Sequence, residues 1–150
     1  MAHTDTNLLV HMIFSTKDRV PLLDAGLKSR RFPYMGGIVH ELGGIALLVN
    51  GPSDHVHMLL LLPAKTTLSE IASKVKANSS GWVHREFPGK GTFAWQTGYA
   101  AFTVSHSQKQ SVLDYIANQE EHHRKLSFKE ELIAFLEKHE IQYDERYIFE

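Results

Sequence analysis

The stretch 51-GPSDHVHMLLLLP-63 decides how this chain folds. Gly51, Pro52, Ser53 and Asp54 are turn formers, each for its own backbone reason. The eight residues after them, His55 to Leu62, are apolar apart from two histidines and read as a strand. Ile45 to Asn50 (IALLVN) reads as another strand before the turn, so the two form a hairpin. Side chains alternate across a strand, which puts His55 and His57 on one face and Val56 on the other, towards the core. The two histidine Cα atoms then lie about 6.6–7 Å apart. Neutral imidazole is a common metal ligand, and two rings at that spacing can converge on one ion. The same two rings can simply line a solvated sheet face, which is the commoner case for a lone His-x-His.

Working outward, Leu8 to Ser15 (LLVHMIFS) is an apolar strand, in which His11 has the plain reading of a packed or hydrogen-bonded strand residue. Leu22 to Glu41 reads as helical in part, with Pro33 and Gly36-Gly37 blurring its limits. Thr67 and Glu70 have capping-box spacing. They open a helix with Leu68, Ile71, Ala72 and Val75 on one face, running to about Arg85 and stopped by Phe87-Pro88-Gly89. Gly98 to Val104 (GYAAFTV) is a fourth strand. Ser107/Gln110 and Ser127/Glu130 are two more capping boxes, predicting helices to about Lys125 and about His139. The tail aromatics Tyr143, Tyr147 and Phe149 are too apolar for a free segment and are expected to dock. The order is β-α-β-β-α-β followed by two helices. It predicts one α+β domain over residues 1–150, a ferredoxin-like βαββαβ antiparallel sheet with helices on one face and additional C-terminal helices. The other face is expected to be free for a ligand or a second chain.

Composition narrows the classes. The chain has 150 residues, 43% hydrophobic and 22% charged, as expected of a globular domain with its own core. It has no cysteine, which excludes disulfides and thiolate metal sites. The net charge of −1 does not by itself suggest a nucleic-acid binder. The start MAHTDTNLLV lacks a basic n-region and a long h-region, and no apolar run is long enough to span a bilayer. The expectation is a cytoplasmic protein with no membrane partner.

A second constellation lies in VLDYIANQEEHH, Val112 to His123. Tyr115, Gln119 and His122 fall on one helix face at spacings of four and three. Tyr115 is a candidate nucleophile or a core-edge residue, and Gln119 a neutral oxygen donor or a solvated side chain.

With both constellations in hand, the chain resembles the HUH superfamily of single-strand DNA nucleases. Within it, the chain is similar to the single-tyrosine transposases of the smallest bacterial insertion sequences and their relatives associated with repetitive extragenic palindromes. VHMIFSTKDR (10–19), NGPSDHVHMLL (50–60), SKVKANSSGWVH (73–84), FAWQTGYAAFTVS (93–105) and YIANQEEHHRKLSFKEE (115–131) carry the resemblance. It implies that His55, His57 and Gln119 hold one divalent cation, Mg²⁺ or Mn²⁺, and that Tyr115 is the nucleophile. The tyrosine would attack a phosphodiester of single-stranded DNA, leaving a 5′-phosphotyrosine and a free 3′-OH, which a second 3′-OH reverses. The implied partners are hairpin-containing single-stranded DNA and a second copy of the chain in a homodimer.

The most basic segment runs from Lys65 to Lys90. Lys74, Lys76 and Arg85 are the candidate phosphate contacts, and Trp82 a candidate platform for an unpaired base. After Phe128 acids outnumber bases, so the last helix is not expected to meet phosphate. Two other readings stand beside the transposase. One is a ferredoxin-like module that binds single-stranded nucleic acid without cutting it. The other is a metal-dependent hydrolase using His55, His57 and His122 or His123.

Overall fold

The computed structural model describes residues 3–119, 121 and 125–148. The expectations for His122, His123 and Phe149 lie outside the described residues. Four strands, β1 (Leu8–Ser15), β2 (Ile45–Asn50), β3 (His55–Leu62) and β4 (Ala100–Thr103), form one sheet in the order β2-β3-β1-β4. Every pairing is antiparallel. Among the described residues four α-helices are bounded: α1 (Ala25–Glu41), α2 (Leu68–Glu86), α3 (Lys109–Ala117) and α4 (Phe128–Lys138). This is the α+β, ferredoxin-like arrangement that the element order predicts. No helix among the described residues is long and apolar enough to cross a membrane.

Strand alternation sorts the core into two layers. Met12 and Phe14 from β1 and Val56, Met58 and Leu60 from β3 face α1 and α2, meeting Leu27, Met35, Val39, Ile71 and Val75. The alternate residues face the other way. Leu9 and Leu59 pack with Ile116 of α3, and Ile13 with Phe102, Phe128, Leu132 and Leu136. The second face is therefore covered by α3 and α4 of the same chain, where the sequence suggested a free face. The cause is the apolar stripe of α4: Phe128, Leu132 and Leu136, four apart, need a buried partner, and Ile13 and Phe102 provide it.

Element ends follow local chemistry. Asp24 accepts from the Leu27 amide at 2.8 Å and starts α1 there rather than at Leu22. Ser127 makes a full capping box with Glu130. At Thr67 only half a box forms, because the Glu70 carboxylate turns to Lys74 at 3.1 Å. Ser107 does not cap: its hydroxyl pairs with Ser105 at 3.0 Å, and a 3₁₀ turn over His106–Gln108 leads into α3. That helix stops at Ala117, short of Lys125. β4 is shorter than 98–104, and just before it Lys76 holds the carbonyls of Gln96 and Thr97, each at 3.1 Å, and that of Gly98. Of the tail aromatics, Tyr143 packs against the α4 layer, whereas Tyr147 is 57% exposed.

Arg31 is the odd member of the core. It is fully buried in α1, its guanidinium carbon 3.9 Å from the Phe93 ring centre and 4.4 Å from that of Trp95. None of its three side-chain nitrogens has a hydrogen-bond partner among the described residues. Burial depresses its pKa to about 9. An unpaired buried charge costs several kcal/mol, and a desolvated cation–π contact returns about 2. Arg31→Met is therefore expected to raise the urea midpoint of unfolding; a lower midpoint would show that the two rings outweigh the buried charge. In contrast, Leu60→Ala in the central strand should cost about 2–5 kcal/mol in the same measurement.

Candidate active site

The site is built where β3 begins. Gly51 makes the tight turn before it, and a Cβ there would collide with the His55 carbonyl. The Asp54 carbonyl is pinned by the Thr16 amide at 2.9 Å. His55 and His57 then point from β3 towards the α3–α4 layer, and both are fully buried.

Both rings turn Nε2 to one atom. Oε1 of Glu131, on the first turn of α4, lies 3.1 Å from His55 Nε2 and 2.9 Å from His57 Nε2. The ring nitrogens facing away are also engaged. His55 Nδ1 lies 2.7 Å from Asp54 Oδ1, and His57 Nδ1 lies 2.8 Å from His11 Nε2. A carboxylate only accepts, so His55 carries a proton on Nδ1. Burial lowers the His55 pKa, but the bonds and charges of Asp54 and Glu131 outweigh it and hold it above its usual value. His11 is pushed down to about 3, first by burial and then by His57, so it is neutral. A neutral His11 can accept from His57 Nδ1. By the same rule His57 Nε2 donates to Glu131 Oε1 as the structure stands, and its lone pair would become available only where a cation took the place of that proton.

Tyr115 meets the same carboxylate from α3. Its hydroxyl donates to Glu131 Oε2, and its ring centre lies 5.9 Å from that of His57. Burial, then the bond to Glu131 and its charge, raise the Tyr115 pKa well above the ordinary phenol value. Asn50 fixes this helix to the histidine hairpin, its amide donating to the Ile116 carbonyl at 2.9 Å. Gln119 is buried just beyond α3; it donates to the Tyr115 carbonyl at 3.3 Å and also reaches the Tyr115 hydroxyl.

The donor set suits a cation. The ligand atoms of His55, His57 and Glu131 all lie within 4.8 Å of one another. Two donors about 2.1 Å from one ion stand about 3–3.4 Å apart, close to the two nitrogen–oxygen separations of 3.1 and 2.9 Å. Each histidine also has the second partner that orients a ligating ring.

Of the residues singled out in the sequence, His55, His57, Tyr115 and Gln119 thus come together. Glu131 and Asp54 are not among the residues the sequence singles out, and His11, expected as a packed or hydrogen-bonded strand residue, makes its bond to His57. The signal for Glu131 is its place on α4, within the stripe Phe128, Leu132, Phe135, Leu136: a carboxylate on an apolar face. The candidate DNA contacts lie elsewhere. Lys74, Lys76, Trp82 and Arg85 are all on α2, across the sheet from the histidines. Lys74 pairs with Glu70. Lys76 is spent on three carbonyls, and burial lowers its pKa to about 8. Trp82 stacks on Tyr34 with ring centres 4.8 Å apart, under the Arg30 guanidinium. Arg85 is exposed.

The chain matches the family described as transposase, IS200-like, over residues 4–119. No curated protein matches it. Among solved structures, a candidate transposase from Deinococcus radiodurans R1 aligns with a TM-score of 0.65 at 23% identity, covering 79% of this chain and 95% of that one. A REP-associated tyrosine transposase bound to a REP hairpin aligns with a TM-score of 0.60 at 13% identity, covering 82% and 74%. At these identities the structures speak for the fold, and the match over 4–119 for the family. The chain belongs to the IS200-like transposases.

Proposed function

We propose that this transposase cuts and rejoins single-stranded DNA through Tyr115. The observation that supports it is the meeting of the Tyr115 hydroxyl and both histidine Nε2 atoms on the one buried carboxylate of Glu131. In this reading Tyr115 Oη gives its proton towards Glu131 Oε2 and attacks phosphorus. The bond from phosphorus to the 3′ oxygen breaks, a 5′-phosphotyrosine forms, and the 3′ oxygen takes a proton from water. Attack by another 3′-OH reverses the step and frees the tyrosine.

A divalent cation, Mg²⁺ or Mn²⁺, would polarise the scissile phosphate. His55 Nε2, His57 Nε2 and Glu131 Oε1 are the donors we assign to it. Gln119, expected from the family resemblance, is the amide in reach of the same site. Asp54 and His11 are positioning residues that hold the two rings with Nε2 inward. The substrate we propose is a single strand carrying a hairpin, by analogy with the relative bound to one. The reading includes the whole chain as one domain, a cytoplasmic location and a homodimer. Tyr115 lies beside the histidines of its own chain, which favours attack in cis.

Three experiments bear on this. Tyr115→Phe should abolish the covalent protein–DNA adduct on a denaturing gel while leaving the melting temperature nearly unchanged; an undiminished adduct would remove Tyr115 from the nucleophile role. Mn²⁺ titration by calorimetry should show His57→Ala and Glu131→Gln losing most of the affinity. If Gln119→Ala loses it and Glu131→Gln does not, the third ligand is the amide. Asp54→Asn, which touches only the outer nitrogen of His55, should weaken Mn²⁺ about tenfold without changing the fold, and unchanged affinity would show that the turn alone orients the ring.

A further inference from the structure

A cleft of about 440 Å³ opens between α3 and α4 and ends at Tyr115, Glu131 and His11. Its size falls within the ~300–1,000 Å³ range of small-ligand sites. Ser111 and Tyr115 of α3 line it together with Gln108 from the 3₁₀ turn before that helix, and Glu131, Phe135 and Lys138 line it from α4 at helical spacing. Phe135 belongs to the wall. One of its contacts is a stacked Phe102, ring centres 5.4 Å apart, and the ring is only partly buried.

The rim is polar and uncommitted. Lys138 is exposed and pairs with no carboxylate among the described residues, whereas Lys129 on the same helix reaches Glu145 at 3.5 Å. The side chains of Gln108 and Ser111 have no hydrogen-bond partner among the described residues. Neighbouring polar groups do have one: Gln110 donates to Asp114 at 2.9 Å, and Ser105 pairs with Ser107. The groove continues past Phe135 and Lys138 to Thr103 and Ser105 at the end of β4. It therefore combines a route to the nucleophile, an aromatic wall, free hydrogen-bonding groups and a cation about 10 Å along the helix from Glu131.

From this we infer that the cleft is a nucleotide subsite: it holds one unpaired nucleotide next to the scissile phosphate. The base lies against Phe135, Gln108 and Ser111 meet its edge, and Lys138 takes a neighbouring phosphate. Three features favour this occupant over an apolar peptide: the free charge of Lys138, the flat aromatic wall, and the continuity with Tyr115. The inference rests on the reading of Tyr115 as a nucleophile for single-stranded DNA. It assigns DNA contact to the acidic C-terminal helix, not to the basic helix α2.

The test is binding without cleavage. In a Tyr115→Phe background, fluorescence anisotropy with short labelled single strands of mixed sequence measures affinity across a salt series. Lys138→Gln should reduce the slope of log affinity against log salt by about 0.7, the share of one phosphate on a single strand. Phe135→Leu should weaken binding about tenfold through lost stacking. Lys129→Gln, on the same helix but outside the cleft, should change neither. Lys138 is exposed, so its replacement does not threaten folding; Phe135→Leu is read only alongside its melting curve. If both cleft variants bind like Lys129→Gln, the cleft is not the subsite, while a tyrosine adduct formed by the wild type would still uphold the cleavage reading. Failure of any single strand to bind overturns both.

Discussion

The carboxylate of Glu131 has to be compensated, and much of the molecule is arranged to do so. It is 1% exposed, under a helix whose other contacts are phenylalanine and leucine. A lone carboxylate there would cost several kcal/mol, so the fold is stable only with partners supplied from elsewhere in the chain. They come from 74 and 76 residues away on β3 and 16 residues away on α3. The same contacts that make burial of this acid tolerable bring two imidazoles and a phenol to one point. Here docking α4 and assembling the site are a single event.

β3 makes this possible because it is central and strictly alternating. Val56, Met58 and Leu60 fix one face against α1 and α2. His55 and His57 occupy the other, followed there by Leu59, which meets Ile116. A register slip of one residue would exchange the two faces and bury the histidines under α1 and α2. The flanking strands oppose that slip. Ile13 stands opposite His57 on β1, and Asn50 opposite it on β2. Asn50 in turn holds the end of α3. The strand that carries the metal-ligand candidates thus also sets the position of the tyrosine.

Much of this could be read from the sequence, in a graded way. The alternation in DHVHMLLLL placed the histidines on one face, and the sequence of turn and capping signals placed the sheet. The pairing of Tyr115 with the histidines rested on family resemblance, since helical spacing alone says only which residues share a face. By composition Glu131 is one acid in an acidic segment; only its place in the apolar stripe of α4 sets it apart. Lys74, Lys76 and Arg85 were judged by local charge. Local charge does not show which side of the sheet a helix covers, nor that three backbone carbonyls will claim Lys76. Ser107 failed as a cap for a similar reason: Ser105 competes for its hydroxyl, and the helix enters through a 3₁₀ turn instead.

The protonation state of the site follows from the same geometry. Tyr115 shares a carboxylate with two imidazoles, and burial first, then the bond to Glu131 and its negative charge, hold the phenol in its protonated form. A tyrosine held this way is a poor nucleophile, since its attacking oxygen must first lose the proton. Positive charge placed among the two Nε2 atoms and Oε1 would offset the charge of Glu131 and weaken its hold on the phenol proton. Oε2 would still accept that proton. If Tyr115 is the nucleophile proposed above, the two oxygens of one carboxylate would link a cation at the histidine pair to the reactivity of the tyrosine. On this argument the third corner is better filled by a carboxylate than by the neutral amide of Gln119, because an amide oxygen cannot take the proton and carries no charge for a cation to offset.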